Sequence, residues 1–391
     1  MSTMVDGGAV AANVRAALEP RRQSMIDLLG RLVGIESPSD DPAALGRMAD
    51  ALDELFGPLG SLESLPAPDG RGRNLRLSLD GGSGDPGAQP AVALCHYDTV
   101  WPLGTIERIP FAVDPQGVAR GPGCFDMKAG IVVLYFALQA LREAGQPLRR
   151  PLKVLFTCDE EVGSPTSRAL IESTARPCAV AYVLESPLPG GTPKTARKGT
   201  GDYLVRIEGR AAHAGVEPQK GISATQELAH QVLALHALND YAVGTTVNVG
   251  VVHGGTRPNV VAAAAEAHVD VRVQTLAEAE RLDRAIRALQ PVLPGAVLHI
   301  DGGLNRPPME RSAAMAALFE QARRIAHAMD VALEEGSTGG GSDGNFTAAI
   351  GVPTLDGLGA EGEGAHAASE HVQTESLPRR AALLAGLLAQ V

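Results

Sequence analysis

Several features that would assign a function quickly are absent from this chain. Its basic residues go no further than short pairs such as Arg149-Arg150 and Arg323-Arg324, and its formal net charge is −11, which argues against a nucleic acid or an anionic membrane as partner. Its longest unbroken apolar run, Ile131 to Leu138, is far short of the ~20 residues that span a bilayer. The amino terminus carries Asp6 and Arg15 but no apolar stretch leading to a cleavage site, so a cytoplasmic location is expected. Four cysteines at irregular spacing fit reduced, buried thiols and not a disulfide framework. No internal repeat or long charge block occurs. At 391 residues the chain exceeds what one hydrophobic core usually supports, and two domains are expected.

What is present is a repeated pattern of apolar runs ending in metal-competent side chains. Val154-Leu155-Phe156-Thr157-Cys158 leads to Glu160-Glu161, Ala91-Val92-Ala93-Leu94-Cys95 to His96-Tyr97-Asp98, and Val180-Ala181-Tyr182-Val183-Leu184 to Glu185. Adjacent carboxylates at the end of a buried strand are costly to desolvate unless a metal or a proton uses them. Open parallel sheets place their ligand crevice at the carboxyl ends of their strands. The pattern points to a metal-dependent enzyme.

Apolar spacing, with the Gly and Pro that bound it, predicts helices over Val14 to Leu32 and Ala43 to Leu59, a strand over Leu75 to Leu79 and an apolar helix over Met127 to Glu143. Gly81 to Gln89 reads as a linker, since it leads into a strand and not into a phosphate-binding helix. Gly190 to Gly201, rich in Gly, Pro and Thr, reads as a domain junction. Between Tyr203 and Ile300 the order strand, helix, strand, strand, helix, strand is that of the ferredoxin-like β-α-β-β-α-β unit, with Asp301 to Glu310 as the return linker. From Ser312 onward a helix, a Gly-rich loop at Gly336 to Gly344, a short run at Gly351 to Leu355 and a last helix from Leu377 rejoin the first domain.

In this order, His96-Tyr97-Asp98, Gly121-Pro122-Gly123-Cys124-Phe125-Asp126-Met127-Lys128, Glu160-Glu161, Glu185 and His366 resemble the signature of the co-catalytic di-zinc aminoacylase and carboxypeptidase family. Ala196-Arg197-Lys198-Gly199, Gly209 to Gly215 and Gly339-Gly340-Gly341-Ser342-Asp343 are most similar to its bacterial glutamate carboxypeptidase branch. The resemblance implies an α/β fold: a zinc-peptidase-like catalytic domain with a mixed central sheet flanked by helices (residues 1–198 and 309–391), and an inserted ferredoxin-like dimerisation or lid domain (199–308). It also implies two zinc ions per chain, replaceable by cobalt, with Asp126 bridging them. His96 and Glu185 would complete one, Glu161 and His366 the other, with a hydroxide between.

By the same resemblance Glu160 is the general base, Asp98 the carboxylate that fixes the His96 tautomer, and His213 the group that reaches across a homodimer to the developing oxyanion. Arg272 and Asn259 match positions that hold a substrate carboxylate, and Gly341, with Gly340, permits close approach of backbone to substrate. The expected activity is hydrolysis of the amide bond to a C-terminal amino acid, glutamate favoured. An aminoacylase or another N-acyl amino-acid deacylase is the runner-up.

Each of these residues taken alone is more often a satisfied polar group than a ligand, and their joint order carries the argument. His230, His236, His268, His299 and His327 lack such support, and Glu54, Glu107 and Glu217 read as solvated charges. Cys95, Cys124 and Cys158, each one or two residues before a site residue, read as inert buried thiols. Gly340-Gly341-Ser342-Asp343-Gly344 fits a serine-hydrolase elbow, but no apolar strand precedes it and too little chain remains beyond it for its partners. A silent binding protein on the same scaffold would have no need of Glu160.

Overall fold

The computed structural model describes residues 6–82 and 88–391. The linker read over Gly81 to Gln89 falls largely outside them. The chain divides into two compact units, one of residues 6–196, 311–338 and 342–391 among those described, the other of residues 197–310 and 339–341.

The first unit is built on a six-stranded mixed sheet in the order Ser61–Pro66, Arg73–Leu79, Leu152–Thr157, Ala91–His96, Val180–Val183, Thr354–Leu355. The first three are joined antiparallel, and the remaining pairs are parallel. Ala91–His96 is buried along its whole length, as expected of a central strand covered on both faces. Its residues alternate between cores: Ala91, Ala93 and Cys95 join the helices Gly7–Leu18, Arg22–Val33, Ala129–Glu143 and Ser376–Gln390, while Val92 and Leu94 face Ile171, Ala175 and Phe346. Ala129–Glu143 is apolar nearly all round because it lies inside this core. Gly130 lets it come close, since a Cβ there would stand 2.0 Å from the Leu184 carbonyl oxygen.

The second unit is a four-stranded antiparallel sheet ordered Thr246–Gly254, Ala264–Val273, Gly199–Glu208, Val297–Arg306. Its helices Ala224–His236 and Leu276–Arg287 give the ferredoxin-like order. Tyr203, Val205 and Ile207 point into the core with Leu235, Leu282 and Leu228, and the intervening Asp202, Arg206 and Glu208 are exposed.

Several sequence expectations are corrected. The helix expected over Val14 to Leu32 is broken at Glu19–Arg21, because Pro20 cannot donate a helical hydrogen bond. Ser61–Pro66, too polar to stand out, is a strand at the sheet edge. Asp301 to Arg306, read as linker from its two glycines, continues the last strand of the second unit. A Cβ at Gly302 would lie 2.1 Å from the Asp202 carbonyl oxygen, so glycine marks a close backbone approach within the sheet. The junction read over Gly190 to Gly201 contains the strand Lys194–Arg197 and the start of Gly199–Glu208, and the Gly-rich loop ends in the helix Gly344–Ala349.

Candidate metal centre

Parallel register brings the site together. His96, the last residue of its strand, is level with Thr157, so Glu160 and Glu161 lie one turn beyond the same edge. Leu94 is level with Val183, which sets Glu185 near the height of His96. The Cys124–Lys128 turn, with a cis Asp126-Met127 peptide bond, presents Asp126 at the head of the buried helix. His366 arrives on a separate four-stranded sheet, in which His371–Gln373 pairs with Val118–Arg120 just before that turn.

The resulting geometry is that of a doubly faced carboxylate. Asp126 Oδ1 lies 3.1 Å from His96 Nε2, and Asp126 Oδ2 lies 3.3 Å from His366 Nε2. His96 Nε2 is also 3.3 Å from Glu185 Oε1, and His366 Nε2 is 3.1 Å from Glu161 Oε2. Ligand atoms of His96, Asp126 and Glu161, and of His96, Glu160 and Glu185, form two groups each within 4.8 Å. These two groups have His96 in common, while the pair distances set Asp126 between His96, with Glu185 beside it, and His366, with Glu161 beside it, a donor chemistry that suits divalent ions. Glu161 Oε1 is buried with no hydrogen-bond partner, the kind of orphan a cation would satisfy.

Burial alone would push the His96 imidazole down, but Asp126, Asp98 and Glu185 together hold it well above its ordinary range. The Asp126 and Glu161 carboxylates raise His366 to about 10. Burial raises Glu161 to about 7 against the pull of His366, whereas the two histidines overcome burial at Asp126 and lower its carboxyl far below the carboxylate range.

The supports around these groups differ in part from expectation. The nearest partner of His96 Nδ1 is the Asp98 backbone carbonyl at 3.0 Å, with the Asp98 carboxylate at 3.4 Å. That carboxylate, fully buried, accepts the backbone N–H groups of Glu160 and Glu161 and the Ser39 hydroxyl. Asp98 thus braces the Glu160-Glu161 turn as well as the histidine. Asp159 accepts from the backbone and hydroxyl groups of Thr166 and Ser167, and Asp343 accepts from the Thr157 and Ser164 hydroxyls.

Glu370 was not anticipated from the sequence. Its carboxylate is 2% exposed and accepts from Gly123 N, Phe125 N, Asp126 N and Trp101 Nε1. The one local hint is an acid four residues past His366, which is too weak to single it out. Ser342 is buried and donates to Asp356 Oδ2 at 2.6 Å, so it sits in a structural network and not on an exposed elbow. Cys95, Cys124 and Cys158 are buried, and burial raises all three thiols, Cys158 to about 12.

The other candidate residues belong to the second unit. His213 is exposed, with Nδ1 accepting from Gly215 N at 3.2 Å; its neighbour Ala214 donates to the Asn259 carbonyl, so the His213 and Asn259 loops are joined. Arg272 grips Asp270 through Nε and Nη2 and is level with Thr200 on the neighbouring strand. Gly341 has its carbonyl held by Arg197 Nη1 at 3.1 Å, and a Cβ there would meet Arg306 Cδ at 2.7 Å.

The chain has relatives among known proteins. The model of Peptidase family M20/M25/M40 matches residues 93–390. Carboxypeptidase G2 of Pseudomonas sp. (strain RS-16) is 30% identical over 387 residues, covering 95% of this chain and 90% of that protein. Acetylornithine deacetylase of Proteus mirabilis is 30% identical over 270 residues, 64% of this chain and 67% of that protein. Among solved structures, aminopeptidase PepT from Bacillus cereus superposes with a TM-score of 0.76 at 23% identity, covering 94% of this chain and 98% of that one, a likeness of fold.

Proposed function

Because this chain belongs to the M20/M25/M40 family of metallopeptidases, we propose that it is a carboxypeptidase, cleaving the amide bond to a C-terminal amino acid, with glutamate as the favoured residue. It is a hydrolase of peptide or N-acyl amino-acid amide bonds. The observation that carries the reading is the Asp126 carboxylate, one oxygen toward His96 and the other toward His366. Likeness to carboxypeptidase G2 along nearly the whole chain supports the choice within the family.

His96, Asp126 and Glu185 would hold one zinc, and Asp126, Glu161 and His366 the other; cobalt would serve in their place. Such a pair, when bound, supplies Lewis acidity toward the scissile carbonyl and makes an attacking water more acidic. Glu160 would accept that water's proton and return it to the leaving amine nitrogen. Asp98 keeps Glu160 in place by holding its backbone N–H and that of Glu161. In the second unit, His213 would stabilise the developing oxyanion, and Arg272 would exchange Asp270 for the substrate carboxylate, with Asn259 beside it and the Gly341 backbone close by. The second unit would act as dimerisation or lid domain. Its edge strand Thr246–Gly254, with exposed Val251 and Val252, is an unpaired edge of the kind that a two-fold partner covers.

The second reading, an N-acyl amino-acid deacylase, is favoured by the likeness to acetylornithine deacetylase and would use the same metal centre. A substrate panel at fixed zinc separates the two. Peptides and acyl derivatives ending in glutamate should lead in kcat/KM; equal or faster turnover of simple N-acetyl amino acids without a glutamate preference would overturn the glutamate carboxypeptidase reading.

A further inference from the structure

Glu370 stands among the most fully used side chains in the first unit, yet neither ligates in the proposed centre nor takes part in the chemistry. Its Oε1 accepts from Phe125 N at 2.8 Å and Asp126 N at 3.0 Å, and its Oε2 from Gly123 N at 2.9 Å and Trp101 Nε1 at 2.8 Å. Three segments converge on one carboxylate. Trp101 comes after the His96 strand, the Gly123 to Asp126 turn carries the doubly faced aspartate, and Glu370 itself lies four residues beyond His366. The register of His371 with Arg120 delivers the carboxylate to the turn.

An anion is required here for a counting reason. A carboxylate accepts at both oxygens, so four N–H donors can converge on it, while an amide presents one accepting oxygen and one donating nitrogen. Any glutamine rotamer therefore sets its NH₂ against two donors, either Phe125 and Asp126 or Gly123 and Trp101. Leaving buried donors unpaired would free the turn to move. Removing Glu370 would then change where Asp126 points.

We propose that Glu370 is a positioning residue for the metal centre, pre-forming the Gly123 to Asp126 turn so that both Asp126 oxygens are aimed before any ion arrives. The role rests on the reading of Asp126 as the shared ligand. Groups that orient metal ligands typically contribute 10- to 100-fold in metal affinity.

Trp101 is the single tryptophan of the chain, so its emission reports on the Glu370 contact directly. The experiment is a zinc titration of the full chain after chelation, with affinity read by competition against a chromophoric chelator and Trp101 emission followed in the same cuvette. Glu370→Gln should weaken zinc by at least about tenfold and shift the emission of the metal-free protein. Trp101→Phe, which removes one donor of four, should weaken zinc less than Glu370→Gln does. Unchanged affinity in Glu370→Gln, with the native chain binding zinc, overturns the positioning role alone. A native chain that binds no zinc overturns the reading of Asp126 beneath it. Should Glu370→Gln fail to fold, hydrogen exchange of the unmodified metal-free chain decides: slow exchange over Gly123 to Asp126 supports the proposal, and protection that develops only when zinc is added overturns it.

Discussion

The two units differ in how much charge they bury: the second buries the Glu227 carboxylate, held by Gln231 and the backbone N–H groups of Val292 and Leu293, and the first buries several carboxylates. In the second unit, the ion pairs Arg206 with Asp301, Arg281 with Glu278 and Arg287 with Asp283 lie at the surface. Such pairs contribute little, ~0–1 kcal/mol each, because water and salt screen them. In the first unit, Asp98, Asp159, Asp343 and Glu370 are buried, each held by hydrogen-bond donors, and Glu161 keeps a buried oxygen with no partner. Surface charge is cheap and replaceable, whereas buried carboxylates persist only where the surroundings satisfy them or where a cation is meant to arrive.

If that contrast is sound, the largest effect comes from taking the cations away. A chelator should abolish activity, and zinc or cobalt should restore it, while a serine-directed inhibitor should leave the rate unchanged; full activity in metal-free protein would break the distinction between the units. Next comes the division of labour between adjacent acids. Glu160→Ala should lower kcat by at least ~100-fold with metal content unchanged, and Glu161→Ala should lose metal along with rate. Metal analysis of both variants checks it, and loss of zinc from Glu160→Ala would make Glu160 a ligand.

A stability comparison sharpens the difference directly. Asp159→Ala strips the acceptor from buried groups of Thr166 and Ser167 and should cost ~3 kcal/mol or more, whereas Arg206→Ala in the second unit should cost under ~1 kcal/mol. Urea denaturation measures both, and equal costs would show that burial is not what separates the two sets of charges. The smallest expected effect joins the units. In a two-fold dimer, a His213→Ala chain paired with a Glu160→Ala chain has one site with both groups intact if His213 serves its partner. Mixed unfolding and refolding makes about half the dimers hybrid, so about a quarter of native activity should return. No recovery despite measured subunit exchange would confine His213 to its own chain.

Which residues gather at the candidate metal centre was largely legible in the chain because strands end locally. Ala91 to Cys95 and Val180 to Leu184 are apolar runs whose next residues are His96 and Glu185, and a buried parallel strand has to deliver its next residue to the crevice edge. The ferredoxin-like unit was legible for a similar reason, since alternation along Gly199–Glu208 and Ala264–Val273 is a two-residue property. Glycine misled where its job was tertiary. At Gly302 it admits a neighbouring strand, and a sequence cannot distinguish that from a flexible linker.

The sequence by itself determined which residue types reach the crevice, the order of elements, and through them the resemblance to a di-zinc hydrolase family. Only the tertiary structure decided that the two Asp126 oxygens face different histidines, that Asp98 braces the Glu160-Glu161 turn, and that Glu370 closes on Gly123, Phe125 and Asp126. Glu370 and Phe125 are separated by 245 residues of chain. Periodicity and turn chemistry act over a few residues, and a hydrogen bond across such a distance exists only once the sheets have set their register.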